Sequence, residues 1–214
     1  MYKAVIFDFD YTLGDSTNGI VISANHALAG LGYAGKPLDD IKRTIGLSLK
    51  ETFRVLTGNA DETAAAEFAQ LFRAKADEVM TDNTVLYDGA AEILSELGKR
   101  GIKTGIVTTK FHYRIDAILR KFSAAELVDV IVGGEDVTRE KPDPEGLLKA
   151  MDILAVKKHE ALYVGDSTVD AMAAQAAGVN FAAVLTGTTN NFSGYDNVFI
   201  GNNLHTILNF VTKI

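Results

Sequence analysis

Ala4-Val5-Ile6-Phe7-Asp8-Phe9-Asp10-Tyr11-Thr12-Leu13 sets an apolar run directly before two carboxylates. The run reads as the apolar body of a first strand that ends in the stretch Asp8–Leu13. Residues i and i+2 of a strand share a face, so Asp8 and Asp10 are expected to point the same way if the strand continues through them. Two like charges held together at the end of a buried strand are costly unless a cation lies between them or one takes up a proton. Alone the pair is weak evidence, because Asp is common where strands give way to turns and can cap the next element.

Three later segments give the pair a context. Gly105-Ile106-Val107-Thr108-Thr109 is an apolar strand ending in hydroxyls. A lone Lys141 precedes Pro142-Asp143-Pro144. Ala161-Leu162-Tyr163-Val164 leads into Gly165-Asp166-Ser167-Thr168-Val169-Asp170. Each segment puts a polar group just after a strand, where open α/β sheets gather their ligand sites. Asp166 and Asp170 would share one helical face only if the helix began at Asp166.

The pattern between Leu13 and Val85 is helical. Asp15 or Ser16 can cap a helix whose Ile20, Ala24, Ala27, Leu28 and Leu31 recur at three and four, with Gly32 as the stop. Pro37 can open a short helix through Ile41, and Ser48-Leu49-Lys50-Glu51 has the spacing of a capping box. A further helix begins at Asp61 and carries Phe68, Leu71, Phe72 and Val79 along one face. Residues 15–82 therefore read as a separate helical insert, and 1–14 with 83–214 as the domain it interrupts. From Val85 onward, helices near 89–99, 112–122, 144–154, 167–177 and 203–212 alternate with strands near 103–107, 128–132, 161–164, 181–185 and 197–200. Such alternation implies an α/β fold, a doubly wound, mostly parallel sheet.

Composition narrows the function. Hydrophobic residues make up 47% and only three residues are Pro, so a packed globular chain is expected. With no Cys, disulfides, zinc-thiolate sites and cysteine nucleophiles are excluded. The formal charge of −7 disfavours nucleic-acid binding, for which a basic patch is expected. It leaves room for an anionic substrate, since a bound cation and a few basic side chains can reverse the potential locally. Asp8 interrupts the first hydrophobic run too early for a signal peptide, and no run is long enough for a membrane span. A cytoplasmic enzyme with no membrane partner, a monomer or homodimer, is the simplest reading. Neither a phosphate-loop pattern nor a dinucleotide fingerprint occurs. His26, His112, His159 and His205 show no ligand or triad spacing.

Together the four segments resemble the motifs of the haloacid dehalogenase superfamily: Asp-x-Asp-x-Thr, a Thr after a hydrophobic strand, an isolated Lys, and Gly-Asp-x-x-x-Asp. They occur in order from Asp8 to Asp170, and the helical insert after the first resembles the cap of the phosphoglycolate phosphatase-like branch. Tyr11 departs from the pattern, standing where many members carry Gly. The resemblance implies that the strand bearing Asp8 is central, flanked by those bearing Thr108 and Asp166. It makes Asp8 the nucleophile, forming an aspartyl-phosphate, and Asp10 the general acid and then base, a role that requires surroundings favouring a protonated carboxyl. It implies Mg²⁺ as cofactor, held by the Asp8 side chain, the Asp10 backbone carbonyl and Asp166, with Asp170 supporting the metal site. Thr108 would bond a phosphoryl oxygen, while Lys141 would hold both the phosphate and Asp8. Thr12, Thr109 and Lys110 are candidate substrate contacts, as are Arg43 and Lys50 beside the insert's turn at Gly46. The expected activity is hydrolysis of a small phosphorylated metabolite, with the insert as a mobile lid. A β-phosphoglucomutase-type phosphomutase uses the same motifs, but Leu49 stands where such a mutase presents Arg. Dehalogenation is disfavoured by Asp10, phosphonoacetaldehyde hydrolysis by the lack of a distinctive cap Lys, and a non-catalytic binding protein by the intact motifs.

Overall fold

The computed structural model describes residues 2–213. They divide into two compact units, residues 2–15 with 86–213, and Ser16–Val85. No helix among the described residues is long and apolar enough to cross a membrane.

The larger unit is built on six parallel strands. In chain order they are β1 (Ala4–Phe7), then, after the short β2 (Gly14–Asp15) and β3 (Val85–Leu86), β4 (Lys103–Val107), β5 (Val130–Val132), β6 (Ala161–Gly165), β7 (Asn180–Val184) and β8 (Phe199–Gly201). Their spatial order is β5-β4-β1-β6-β7-β8, while β2 and β3 pair separately. β1 lies between β4 and β6, with Phe7 opposite Ile106 on one side and Val164 on the other. All four β1 residues are buried, as befits a parallel strand covered on both faces. Ala4 and Ile6 join a core with Val107, Val132 and Tyr163 beneath α7 (Glu145–Leu154) and α8 (Thr168–Ala177). Val5 and Phe7 point to the opposite face by strand alternation. α5 (Ala90–Lys99) packs on β4, α6 (His112–Lys121) on β5, and α9 (Leu204–Thr212) on β7 and β8.

The smaller unit consists of α1 (Thr17–Gly30), α2 (Leu38–Lys42), α3 (Leu49–Thr57) and α4 (Glu62–Val79). Local chemistry sets their ends. Ser48 Oγ accepts from Glu51 N–H and Asp61 Oδ1 from Ala64 N–H, supplying acceptors that a helix N-terminus lacks. Gly58, at φ +71°, ends α3 in a left-handed conformation cheap for glycine. Phe53 and Phe68, centroids 5.4 Å apart, form the middle of an aromatic row that runs from Tyr33 to Phe72. Thr84 Oγ1 donates to Met80 O at 2.7 Å and lies 3.0 Å from Ser16 Oγ, joining the two ends of the insert.

Two conditions raised by the sequence are not met. β1 stops at Phe7, so Asp8 and Asp10 are not aligned by strand alternation. Asp8 N–H still bonds Val164 O, extending the pairing by one residue, but the backbone then turns and Phe9 O accepts from Thr12, Leu13 and Gly14. α8 begins at Thr168 with Ser167 as N-cap, so Asp166 precedes the helix and shares no helical face with Asp170.

Candidate active site

The larger unit brings these residues together at the C-terminal ends of β1, β4 and β6. Asp8, Asp166 and Asp170 each offer a carboxylate oxygen within 4.8 Å of the others, and all three are buried. Lys141 Nζ lies 2.8 Å from Asp8 Oδ1, 2.6 Å from Asp170 Oδ1 and 3.0 Å from the Tyr163 hydroxyl. An ammonium has three N–H donors, so these acceptors use all of them. Lys141 thus orients Asp8 in this state, and a further phosphate bond would require it to share or exchange a partner.

Asp170 is held on both oxygens. Oδ1 accepts from Lys141 and from the Tyr163 hydroxyl, the latter at 2.8 Å, while Oδ2 accepts from Ser167 N–H and Oγ–H at 3.1 and 2.5 Å. The same residue therefore completes the capping box of α8 and fixes Lys141. Asp166 is less well provided: Thr12 Oγ1 approaches Oδ1 only at 3.5 Å. Thr12 points to this carboxylate as a supporting contact.

Electrostatics follow from this packing. Burial pushes the Asp8 carboxyl up to about 7, Lys141 opposing and Asp170 and Asp10 reinforcing the shift. Burial, with Asp170 and then Asp8 as negative neighbours, drives Asp166 well above the usual carboxylate range. Burial pulls the Lys141 pKa down, yet the Asp170 and Asp8 carboxylates outweigh it and raise the pKa above its ordinary value. Three buried carboxylates against one ammonium leave two negative charges when all are ionised. A divalent cation with a preference for oxygen ligands fits that donor set, chiefly through Asp8 and Asp166.

The flanking residues sort by what they touch. Thr108, immediately after β4, is buried, and its Oγ1 accepts from Lys110 N–H at 3.2 Å. Lys110 Nζ lies 3.2 Å from Asp10 Oδ2, inside the site. Thr109 lies in the turn held by Gly134, whose N–H donates to Lys110 O. His112 meets Asp136 at 3.1 Å on the surface, and His26 is exposed on α1. Arg43 and Lys50 belong to the helical unit, exposed and paired there with Asp40 and Glu62.

Three contributors escaped the sequence reading. Tyr163 looks like an ordinary strand residue, and its hydroxyl partners are remote in sequence. Gly187 opens a segment that reads only as a polar loop, yet a Cβ there would stand 1.8 Å from Asp166 Oδ2. Thr186, beside it, donates from Oγ1 to Tyr11 O. Tyr11 itself adopts φ +61°, which explains the glycine common at this position and costs an L-residue roughly 1–2 kcal/mol.

Comparison with known proteins agrees with this geometry. The family model for haloacid dehalogenase-like hydrolase matches residues 5–184. Pyrophosphatase PpaX of Bacillus cereus is 35% identical over 182 residues, covering 85% of this chain and 82% of that one. A phosphoglycolate phosphatase of Nitrosospira multiformis is 33% identical over 190 residues, covering 86% and 84%. A crystal structure from Bacteroides fragilis, described as a haloacid dehalogenase-like hydrolase, superposes with a TM-score of 0.93 at 45% identity, covering 97% of this chain and 100% of that one. Sequence, sheet order and the buried Asp–Lys cluster converge, and the chain belongs to the haloacid dehalogenase-like hydrolases.

Proposed function

We propose that this enzyme is a Mg²⁺-dependent phosphatase that hydrolyses a small phosphorylated metabolite through an aspartyl-phosphate on Asp8. One observation carries the reading: Asp8, Asp166 and Asp170 are buried together against the single ammonium of Lys141. Asp8 and Asp166 would hold the metal, with the Asp10 backbone carbonyl as a further ligand and Asp170 in support. Bound Mg²⁺ would polarise a phosphoryl oxygen and offset the charge that makes a phosphate monoester resist attack.

The chain's own residues account for the remaining chemistry. Asp8, oriented by Lys141, attacks phosphorus while the ester P–O bond breaks, and Asp10 protonates the departing oxygen. Thr108 offers a hydroxyl to a phosphoryl oxygen. Asp10 then removes a proton from water, whose oxygen displaces Asp8 from phosphorus. The names of the two curated relatives, a phosphoglycolate phosphatase and a pyrophosphatase, support a small anionic substrate bearing a phosphoryl group. Leu49 weighs against a phosphomutase, which isomerisation of glucose 1-phosphate with its bisphosphate activator would reveal.

Phosphate release from p-nitrophenyl phosphate tests the proposal. Activity is expected with Mg²⁺, to vanish in EDTA and to return on metal addition. Asp8→Asn should be inactive with an unchanged far-UV circular dichroism spectrum. Full release by that variant, or by the wild type in excess EDTA, would count against the mechanism.

A further inference from the structure

We infer that Lys110 is a positioning residue for Asp10: it fixes Oδ2, so that Oδ1 is the atom that passes a proton to the leaving oxygen and later takes one from water. The inference rests on the phosphatase reading above and changes the part expected of Lys110 from substrate contact to support of the acid–base group.

Lys110 Nζ lies 3.2 Å from Asp10 Oδ2, with the two side chains only 5% and 11% exposed. Asp10 Oδ1 is buried and has no hydrogen-bond partner among the described residues. Leaving a buried carboxylate oxygen without a donor is costly, and a native orphan of this kind calls for a reason. A proton-transfer atom supplies one, because its partner arrives with the substrate.

The base of the Lys110 side chain is anchored as well as its tip. Its N–H donates to Thr108 Oγ1 and its carbonyl accepts from Gly134 N–H at 3.1 Å. A Cβ on Gly134 would come within 2.6 Å of Thr109 O, so the 108–110 turn sits directly against the glycine. The ammonium is thus delivered by a pinned turn rather than by a mobile surface stem. Two atoms of one carboxylate then have separate assignments: Oδ2 carries the restraint and Oδ1 the chemistry.

The steps balance on this assignment. In the first, the Asp8 O–P bond forms as the ester P–O bond breaks, and the electron pair left on the ester oxygen takes the proton from Oδ1. In the second, Oδ1 takes a proton from water as the water oxygen bonds phosphorus, and the Asp8 O–P electron pair returns to the carboxylate.

The test compares Lys110→Met, Lys110→Arg, Asp10→Asn and the Lys110→Met/Asp10→Asn double variant. Each is assayed with p-nitrophenyl phosphate, whose leaving oxygen needs little protonation, and with β-glycerophosphate, whose alkoxide needs it. Asp10→Asn and Lys110→Met should each lower kcat/KM, which reports the first step, by about a hundredfold on β-glycerophosphate and far less on the aryl ester, while kcat falls on both because the water-activating step is shared. The double variant should be no worse than Asp10→Asn, since both substitutions remove one function. Lys110→Arg keeps the charge but changes its geometry, so it should show the same leaving-group dependence. If Lys110→Met does not fold, Lys110→Arg in both backgrounds decides the question. A KM rise shared by both substrates, or a Lys110 loss that persists in full in the Asp10→Asn background, would overturn the inference and return Lys110 to substrate binding. Undiminished hydrolysis of β-glycerophosphate by Asp10→Asn would instead overturn the acid–base assignment on which it rests.

Discussion

Gly187 shows how much a single position can control without contributing a functional group. Its missing side chain leaves the space occupied by Asp166 Oδ2. Gly187→Ala should therefore displace Asp166 from its present position, because the added Cβ would meet its Oδ2, Cγ and Cβ at 1.8, 2.7 and 3.1 Å. We expect Mg²⁺ affinity measured by calorimetry to fall about tenfold or more, with the fold retained; unchanged affinity would show that Asp166 does not set metal binding. The sequence disclosed Asp8, Lys141, Asp166 and Asp170 because their order and spacing form a motif, and the structure brings these four together. It did not disclose Gly187 or Tyr163, whose roles are created by neighbours distant along the chain. Lys110 illustrates an intermediate case: its place after Thr108 marked it as a candidate, but only the folded turn shows that it meets Asp10.

Helix and strand positions were legible where the determinants are local. Ser48 and Asp61 set helix starts through hydrogen bonds within a few residues, and each is found at the start expected of it. The end of β1 was not, because the turn after Phe7 depends on Phe9 O collecting three amides, which no apolar pattern encodes. A different long-range contact joins α9 to the start of α5, where His205 Nε2 lies 3.1 Å from Asp88 Oδ2 and Nδ1 lies 3.5 Å from Glu92 Oε2. The hydrogen bond to Asp88, with both carboxylates adding attraction, raises the His205 pKa above its ordinary 6.5. A raised folded-state value means stabilisation that is fully present below the unfolded pKa and is lost as pH rises through the folded one. His205→Gln should accordingly lower the melting temperature at pH 5.5, and the gap should close by pH 9. A gap that does not depend on pH would remove the ionic part of this explanation.

For the whole molecule, the metal proposal links activity to stability. Asp166 has a raised folded-state pKa, so its ionised form opposes folding near neutral pH, and the opposition eases as pH falls and the folded form takes up the proton. Without a metal, Asp166→Asn should melt higher than the wild type at pH 7.5. With Mg²⁺ the order should reverse, because a ligand that binds only the folded state stabilises it by about 2.7 kcal/mol at a hundred times its dissociation constant. Thermal scans of both proteins in EDTA and in Mg²⁺ would show the crossing; parallel shifts would remove Asp166 from the metal site.

The position of β1 between β4 and β6 also bears on how the chain is made. The smaller unit is one contiguous stretch, Ser16–Val85, whose contacts can form as it leaves the ribosome. β1 must wait for both neighbours, the later of them roughly 150 residues downstream, an interval of about 8–30 s at ordinary translation rates. Until then an apolar strand lacks at least one of the edges that it will pair with and part of its helical cover, a state in which nascent chains are prone to associate. Asp8 and Asp10 end the run after four residues, so the carboxylates proposed to carry the reaction also act as gatekeepers, keeping the waiting strand too short and too charged to pair with a copy of itself.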